Sequence, residues 1–236
     1  PDAHTTTMQA LDLSNQTKLQ TLVLEYQPNI PELQLWHLAN LESVTITGCG
    51  GLSNLDLSGL KKLTSAKITS NNNMAELNLK DCTALTTLNC YSNKMLAELN
   101  IKHCSAIEEL TCYNNALLSA LDISDCTALG KLSCYSTSID ELDLSYAPLL
   151  TTLDCSSTQI ERLDVSFCPL LTTLNCNSTL IESLDVSGCL KLTSLDCSPN
   201  EHLTTLYLAE GQTISKINSS RNNSYIPDAT EIVYVQ

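Results

Sequence analysis

Cysteine keeps a regular interval along this chain. Six of its twelve cysteines, Cys90, Cys112, Cys134, Cys155, Cys176 and Cys197, are separated by 22, 22, 21, 21 and 21 residues. Five more, Cys82, Cys104, Cys126, Cys168 and Cys189, follow the same spacing, with Ala147 filling the one vacant position. Only Cys49 stands apart from both series. Disulfide frameworks and zinc clusters place thiols in short pairs or at irregular intervals, and no Cys-x-x-Cys pair occurs here. The thiols therefore mark a repeat. A unit of 21–22 residues is too small to bury a core alone, so its copies must stack.

The unit is clearest from Leu149 to Pro169, LLTTLDCSSTQIERLDVSFCP. Each copy carries two short Leu-x-apolar signatures half a repeat apart. The first begins at Leu22-Val-Leu24, passes through Val44, Ala66, Leu88, Leu110, Leu132, Leu153, Leu174 and Leu195, and ends at Ile217. The second begins at Leu11-Asp-Leu13 and recurs at Leu33, Leu55, Leu77, Leu99, Leu121, Leu142, Leu163, Leu184 and Leu206. In a strand, alternate side chains share a face. Leu153 and Cys155 then point inward while Thr152, Asp154 and Ser156 point out, and Leu163 and Val165 point inward while Arg162, Asp164 and Ser166 point out. Two inward rows meet in a thin core. Leucine fills 43 positions and only ten residues are aromatic, among them the single Trp36 and Phe167, so that core is aliphatic.

The phrase L-x-x-L-x-C-x-x-[N/T]-x-I resembles the leucine-rich-repeat consensus L-x-x-L-x-L-x-x-N-x-L, and it does so in register from about residue 8 to 219. The period and the second half of the unit are similar to bacterial internalin-type repeats and to secreted surface leucine-rich-repeat proteins of Gram-negative gut bacteria. Two features depart from the consensus. Cysteine often takes the strand's second apolar position, and the second half, L-x-x-L-D-[VIL]-S-x-C, is itself strand-like and leaves little room for helix. The expected fold is a horseshoe-like, right-handed leucine-rich-repeat solenoid with short parallel strands on both faces. Residues 1–219 form an array of about ten units, and residues 220–236 form a C-terminal cap, with a polar loop at Ser219–Ser224 and a closing strand at Glu231–Gln236. The segment Pro1–Thr7 has neither an initiator methionine nor an apolar signal region, and reads as the start of a mature chain whose signal or anchor has been removed.

The turn after the first signature comes in two forms. Asn93 and Asn115 are followed by x-x-Leu and Asn71 by x-x-Met in the 22-residue units, whereas Thr137, Thr158 and Thr179 are followed by x-Ile in the 21-residue units. Asn200 returns with the longer spacing. An asparagine amide bonds backbone of its own turn and of its neighbour's, and threonine offers one hydroxyl. Two turn geometries imply a change of curvature midway.

Several chemistries are excluded. A net charge of −14 argues against nucleic acid as partner, the leucine content argues against disorder, and no apolar run is long enough to span a membrane. His4, His37, His103 and His202 hold no metal or general-base spacing. No G-x-S-x-G elbow is present, and Gly48–Gly51 lacks the Lys-Ser/Thr of a phosphate loop. The chain reads as a non-enzyme without a cofactor. Its thiols read as small apolar fillers, interchangeable with Leu24, Ile46 and Ile68.

Two outward rows remain. Asp122, Asp143, Asp164 and Asp185 share one rung position on the second row. Calcium bridging these carboxylates competes with the simpler reading that each bonds a serine or threonine of the neighbouring rung, which Asn78 and Asn100 at the same position favour. On the first row, Tyr91, Tyr113 and Tyr135 each follow the strand cysteine and line up outward, flanked by Asn89, Glu109, Thr111, Lys131 and Ser133. Exposed aromatics in a chain so poor in them have the composition of a recognition surface, although stacked tyrosines also stabilise a sheet face. Ser156, Asn177 and Ser198 take that position later, which confines any hot spot to the middle of the array. The resemblance implies a secreted or cell-surface, monomeric recognition or adhesion module. It binds a protein or glycan on its strand face through Tyr91, Tyr113 and Tyr135 with Glu109, Lys131 and Thr111. A structural spacer and a calcium-stabilised solenoid without a ligand are the alternatives.

Overall fold

A computed structural model describes residues 10–218 and 230–235. The expectations for Pro1–Thr7, His4, the Ser219–Ser224 loop and Gln236 lie outside the described residues. Strands β1 (Thr21–Glu25), β2 (Ser43–Thr47), β3 (Asn54–Asp56), β4 (Ser65–Thr69), β5 (Glu76–Asn78), β6 (Thr87–Asn89), β7 (Glu98–Asn100) and β8 (Glu109–Thr111) cover the first half. Strands β9 (Lys131–Ser133), β10 (Thr152–Asp154), β11 (Thr173–Asn175), β12 (Ser183–Asp185), β13 (Ser194–Asp196), β14 (Thr205–Ala209), β15 (Lys216–Asn218) and β16 (Glu231–Val235) cover the second. Among the described residues there is no helix.

The first signature builds one continuous parallel sheet, β1-β2-β4-β6-β8-β9-β10-β11-β13-β15. Its register sets Leu22 against Val44, Val44 against Ala66, and so on through Leu88, Leu110, Leu132, Leu153, Leu174 and Leu195. Each residue thus sits beside its own equivalent in the next coil. Inward leucines and thiols from both rows form one buried stack running the length of the solenoid. No coil closes a core alone; the apolar burial that stabilises each one comes from its neighbours. A row of hydroxyls reinforces the ladder where the chain enters the sheet. Thr64, Thr86, Thr172 and Thr193 each donate to the carbonyl of the preceding coil, at 2.9–3.1 Å.

The second row carries strands as expected, but not continuously. It pairs as β3-β5-β7 and again as β12-β14-β16. Between these sheets, Leu121–Ile123, Leu142–Leu144 and Leu163–Val165 make no backbone bond to the coils beside them. The first-row sheet holds its hydrogen-bonded spacing of about 4.8 Å throughout. Opening the opposite row while that sheet stays closed bends the solenoid toward the sheet, as the change of turn from Asn115 to Thr137 foreshadows.

The buried asparagines explain why the N-turn coils are so regular. Asn71 and Asn93 are fully buried. The Asn71 N–H donates to Asn93 Oδ1, and the Asn93 N–H to Asn115 Oδ1, both at 2.8 Å. Asn93 Nδ2 in turn donates to the carbonyls of Ile68 and Cys90. One amide therefore satisfies three backbone groups in two coils. A threonine satisfies one: Thr158 Oγ1 donates to the Cys155 carbonyl of its own turn. Cys49, which lies outside both thiol series, occupies the asparagine position of its coil, where its N–H donates to Asn71 Oδ1. The residue before this position turns the chain left-handed, with φ near +55° at Ser92, Asn114, Ser136 and Ser157, and +68° at Gly48. At Gly48 a side chain is also excluded sterically, because a Cβ would lie 2.8 Å from the Tyr26 ring.

Asn93→Ala strands three buried backbone groups. It is expected to destabilise the chain by about 3 kcal/mol in urea unfolding, whereas Thr158→Ala, which strands one, costs about 1 kcal/mol.

Candidate functional site

On the first-row sheet from Leu88 to Leu195 the residue two positions after each inward leucine is an inward thiol, so the next residue in the strand faces out. Parallel register then sets Tyr91, Tyr113 and Tyr135 on consecutive coils, and the rings meet face to face. Ring centroids are 4.6 Å apart for Tyr91–Tyr113 and 4.3 Å for Tyr113–Tyr135, with interplanar angles of 8° in both pairs. All three side chains are half-buried. Burial pushes the Tyr113 hydroxyl pKa up, and the phenol on either side adds to the effect. Stacking consumes the ring faces between coils, so the strip presents ring edges and a row of three hydroxyls to solvent.

The other expected residues gather beside it. Lys131 Nζ and Glu109 Oε1 are 2.5 Å apart across β8 and β9, at the leading outward position. Both are largely exposed, and an exposed pair of this kind adds well under 1 kcal/mol to stability. Thr111 lies between Asn89 and Ser133 in the adjoining outward column. Beyond the tyrosines the column changes character. Ser156 and Ser198 are buried, not outward as their strand parity implies, because Asp154 Oδ1 accepts from the Ser156 N–H and hydroxyl and Asp196 Oδ1 from the Ser198 N–H.

The aspartate row stands on the second face. Asp122, Asp143, Asp164 and Asp185 each accept the N–H of the serine two residues on, at 2.9–3.0 Å, and Asp122 and Asp185 also take that serine's hydroxyl at 2.6 Å. The bond closes a turn within its own coil and does not reach a neighbouring rung, which corrects the inter-rung reading. These bonds hold the Asp122 and Asp143 carboxyls below the ordinary carboxylate value. Asn78 and Asn100 make the same turn bond to Lys80 and Lys102. Among the described residues, no group of three or more His, Cys, Asp or Glu side chains is gathered closely enough to hold a metal ion. His103 is bonded to Asp81, Nδ1 to Oδ1 at 2.7 Å, and that bond lowers the Asp81 pKa.

Sequence reasoning missed a second feature of this face. Where the coils part, three grooves of about 280, 550 and 760 Å³ follow one another. Asp122, Asp143 and Asp164 line them, with Tyr146 beside the first, Phe167 beside the second, and Arg162 in the second and third. Tyr146 and Phe167 are 47 % and 50 % exposed. Their shared position just before the second thiol series was a usable signal; the parting of the coils was not visible in the sequence.

All twelve cysteines are free and buried. Burial raises every thiol pKa above its ordinary 9.0, Cys90 to about 12 and Cys104 to about 11. Second-series thiols bond backwards, Cys82 to the Leu57 carbonyl and Cys104 to the Leu79 carbonyl, both at 3.1 Å. They are packing groups and not nucleophiles, since the reactive form is the thiolate.

Among solved structures, the chain is similar to the functional domain of InlJ from Listeria monocytogenes, which includes a cysteine ladder. The identity is 24 % and the TM-score 0.61, over 85 % of this chain and 53 % of that one. The chain thus spans about half the length of that structure. The fold is a leucine-rich-repeat solenoid. Two further similarities are to an internalin (inlF) from Listeria monocytogenes, at 18 % identity and TM-score 0.43 over 91 % and 86 % of the two chains, and to a leucine-rich-repeat protein of Leptospira interrogans, at 15 % and 0.33 over 96 % and 93 %. No family model and no curated protein matches the chain.

A thiol that holds its proton in the folded chain and loses it near pH 9 when unfolded makes the folded state bind more protons above pH 9. Its contribution is complete below that pH and is lost as pH rises toward 11–12. Unfolding free energies from urea titrations are expected to agree at pH 7 and 8 and to fall steeply between pH 9 and 11, by about 1.4 kcal/mol per pH unit for a fully buried thiol such as Cys90. A thiol-reactive dye at pH 7.5 is expected to label no cysteine of the native chain and all twelve in denaturant.

Proposed function

We propose that this chain is a non-catalytic recognition module of the bacterial cell surface or exterior, and that it engages a protein partner on the ten-stranded sheet at the tyrosine stack. The observation that carries the reading is the stack itself. Three of the chain's few aromatic residues meet on consecutive coils and turn their edges and hydroxyls outward. Stacking fixes the rings before any partner arrives, so little side-chain entropy is lost on binding. Glu109, Lys131 and Thr111 supply the polar surround, as the rim of a contact does. The internalin-like likeness supports the same reading, because a rigid curved sheet is the surface such solenoids present. A glycan at this strip fits less well, since sugars stack on ring faces and here both faces of Tyr113 and the inner faces of Tyr91 and Tyr135 are occupied by neighbouring tyrosines.

Protein and glycan arrays probed with the chain are expected to yield a saturable protein ligand. Tyr91→Ala/Tyr113→Ala/Tyr135→Ala is expected to weaken it at least 100-fold, and Asn175→Ala/Asn177→Ala, further along the same sheet, to leave it within 2-fold. A structural spacer predicts no saturable ligand, and binding that survives the triple substitution sinks the tyrosine strip. A calcium-stabilised solenoid predicts a Tm raised by calcium and lowered by chelator; here the two are expected to agree within 1 °C, about the resolution of the measurement.

A further inference from the structure

The geometry of the second face points to a separate docking surface: we propose that the opened coils from Leu121 to Asp185 receive an extended, arginine- or lysine-bearing segment of a partner protein. The surface is a strand row without its ladder. Leu121–Ile123, Leu142–Leu144 and Leu163–Val165 make no backbone–backbone bond between coils; the Ile123, Leu144 and Val165 carbonyls close their own turns, and Val165 also accepts from the Cys189 thiol. Three grooves open between successive coils. Backbone carbonyls along a groove wall are acceptors for a donor-rich, acceptor-free side chain.

Charge decides the occupant. Eight carboxylates and a single arginine line the three grooves. The turn bonds to serine hold the row's aspartates apart, one per coil, which suits separate long cationic side chains and not one small ion. Aromatic edges complete the match. Tyr146 and Phe167 stand half-exposed beside the first two grooves, in a column that elsewhere holds Gly59, Asp81, His103, Asp125 and Gly188. A guanidinium or ammonium bound there meets a carboxylate, a carbonyl and a ring. An extended segment presents alternate side chains on one face about 6.8 Å apart, wider than the closed coil spacing and suited to coils that have parted. Arg162 marks the preference from within the chain: it lines two of the grooves and makes no ion pair among the described residues.

Fluorescence anisotropy of the full chain with a labelled Arg-Ser repeat decapeptide tests the proposal, with a Glu-Ser repeat and a peptide of equal charge with its arginines in one block as controls. Asp143→Asn/Asp164→Asn is the informative variant, because Asn78 and Asn100 show that asparagine keeps this turn bond and the fold. It is expected to weaken the alternating peptide about 10-fold or more, and Arg162→Ala to tighten it several-fold. Tyr91→Ala/Tyr113→Ala/Tyr135→Ala is expected to change nothing, which separates this surface from the tyrosine strip. Equal binding of the blocked peptide, or an equal loss from Asp154→Asn/Asp196→Asn on the opposite sheet, identifies mere attraction to the net charge and overturns the proposal. No saturable binding overturns it as well.

Discussion

Parallel pairing in strict register is the constraint on which the rest of the molecule depends. When coil follows coil with Leu88 opposite Leu110 and Leu110 opposite Leu132, every side chain must be compatible with a copy of itself about 4.8 Å away. Small or flat groups tolerate that repetition, and the chain is built from them. Thiols stack on thiols in the core, amides hand hydrogen bonds to amides at the turn, and phenol rings lie on phenol rings outside. Like charges recur too, Glu76 beside Glu98 and an aspartate on each of four successive coils, and each of these aspartates is tied down within its own turn.

The same constraint gives the solenoid its bend. An asparagine at the turn bonds backbone in two coils and locks their spacing; a threonine bonds only its own turn. Where threonine takes over, the first-row sheet still runs unbroken, because its own backbone bonds suffice. The second row has no such reserve and opens. The parting begins between Asn100 and Leu121, in coils that both turn on asparagine, and runs on through the threonine coils; it changes the shape of the far side and creates there a surface of different chemistry from the sheet.

The two faces differ in what they offer a partner. The sheet side is fixed and locally aromatic, with one ion pair at Glu109 and Lys131 and few charges around the rings. The opened side carries spaced carboxylates, backbone without strand pairing and two isolated rings. A rigid, preformed strip favours a folded protein surface, and an indented acidic row favours an extended cationic chain. Neither role needs a nucleophile, and the raised thiol pKa values remove the cysteines from that chemistry.

Much of this was legible in the sequence, because a repeat states its contacts by its period. Spacing alone named the inward leucines and thiols, the ten rungs of the first row, and the alignment of Tyr91, Tyr113 and Tyr135, since residues one period apart must become neighbours. Composition alone made the core aliphatic. What period cannot encode is distance between neighbours. Whether the second-row coils touch or part, whether Ser156 faces out or folds under Asp154, and whether Asp143 bonds its own turn or the next coil all depend on local hydrogen-bond competition. Only the packed coils decided these, because a single backbone bond gained or lost between adjacent rungs is invisible to a pattern that both rungs share.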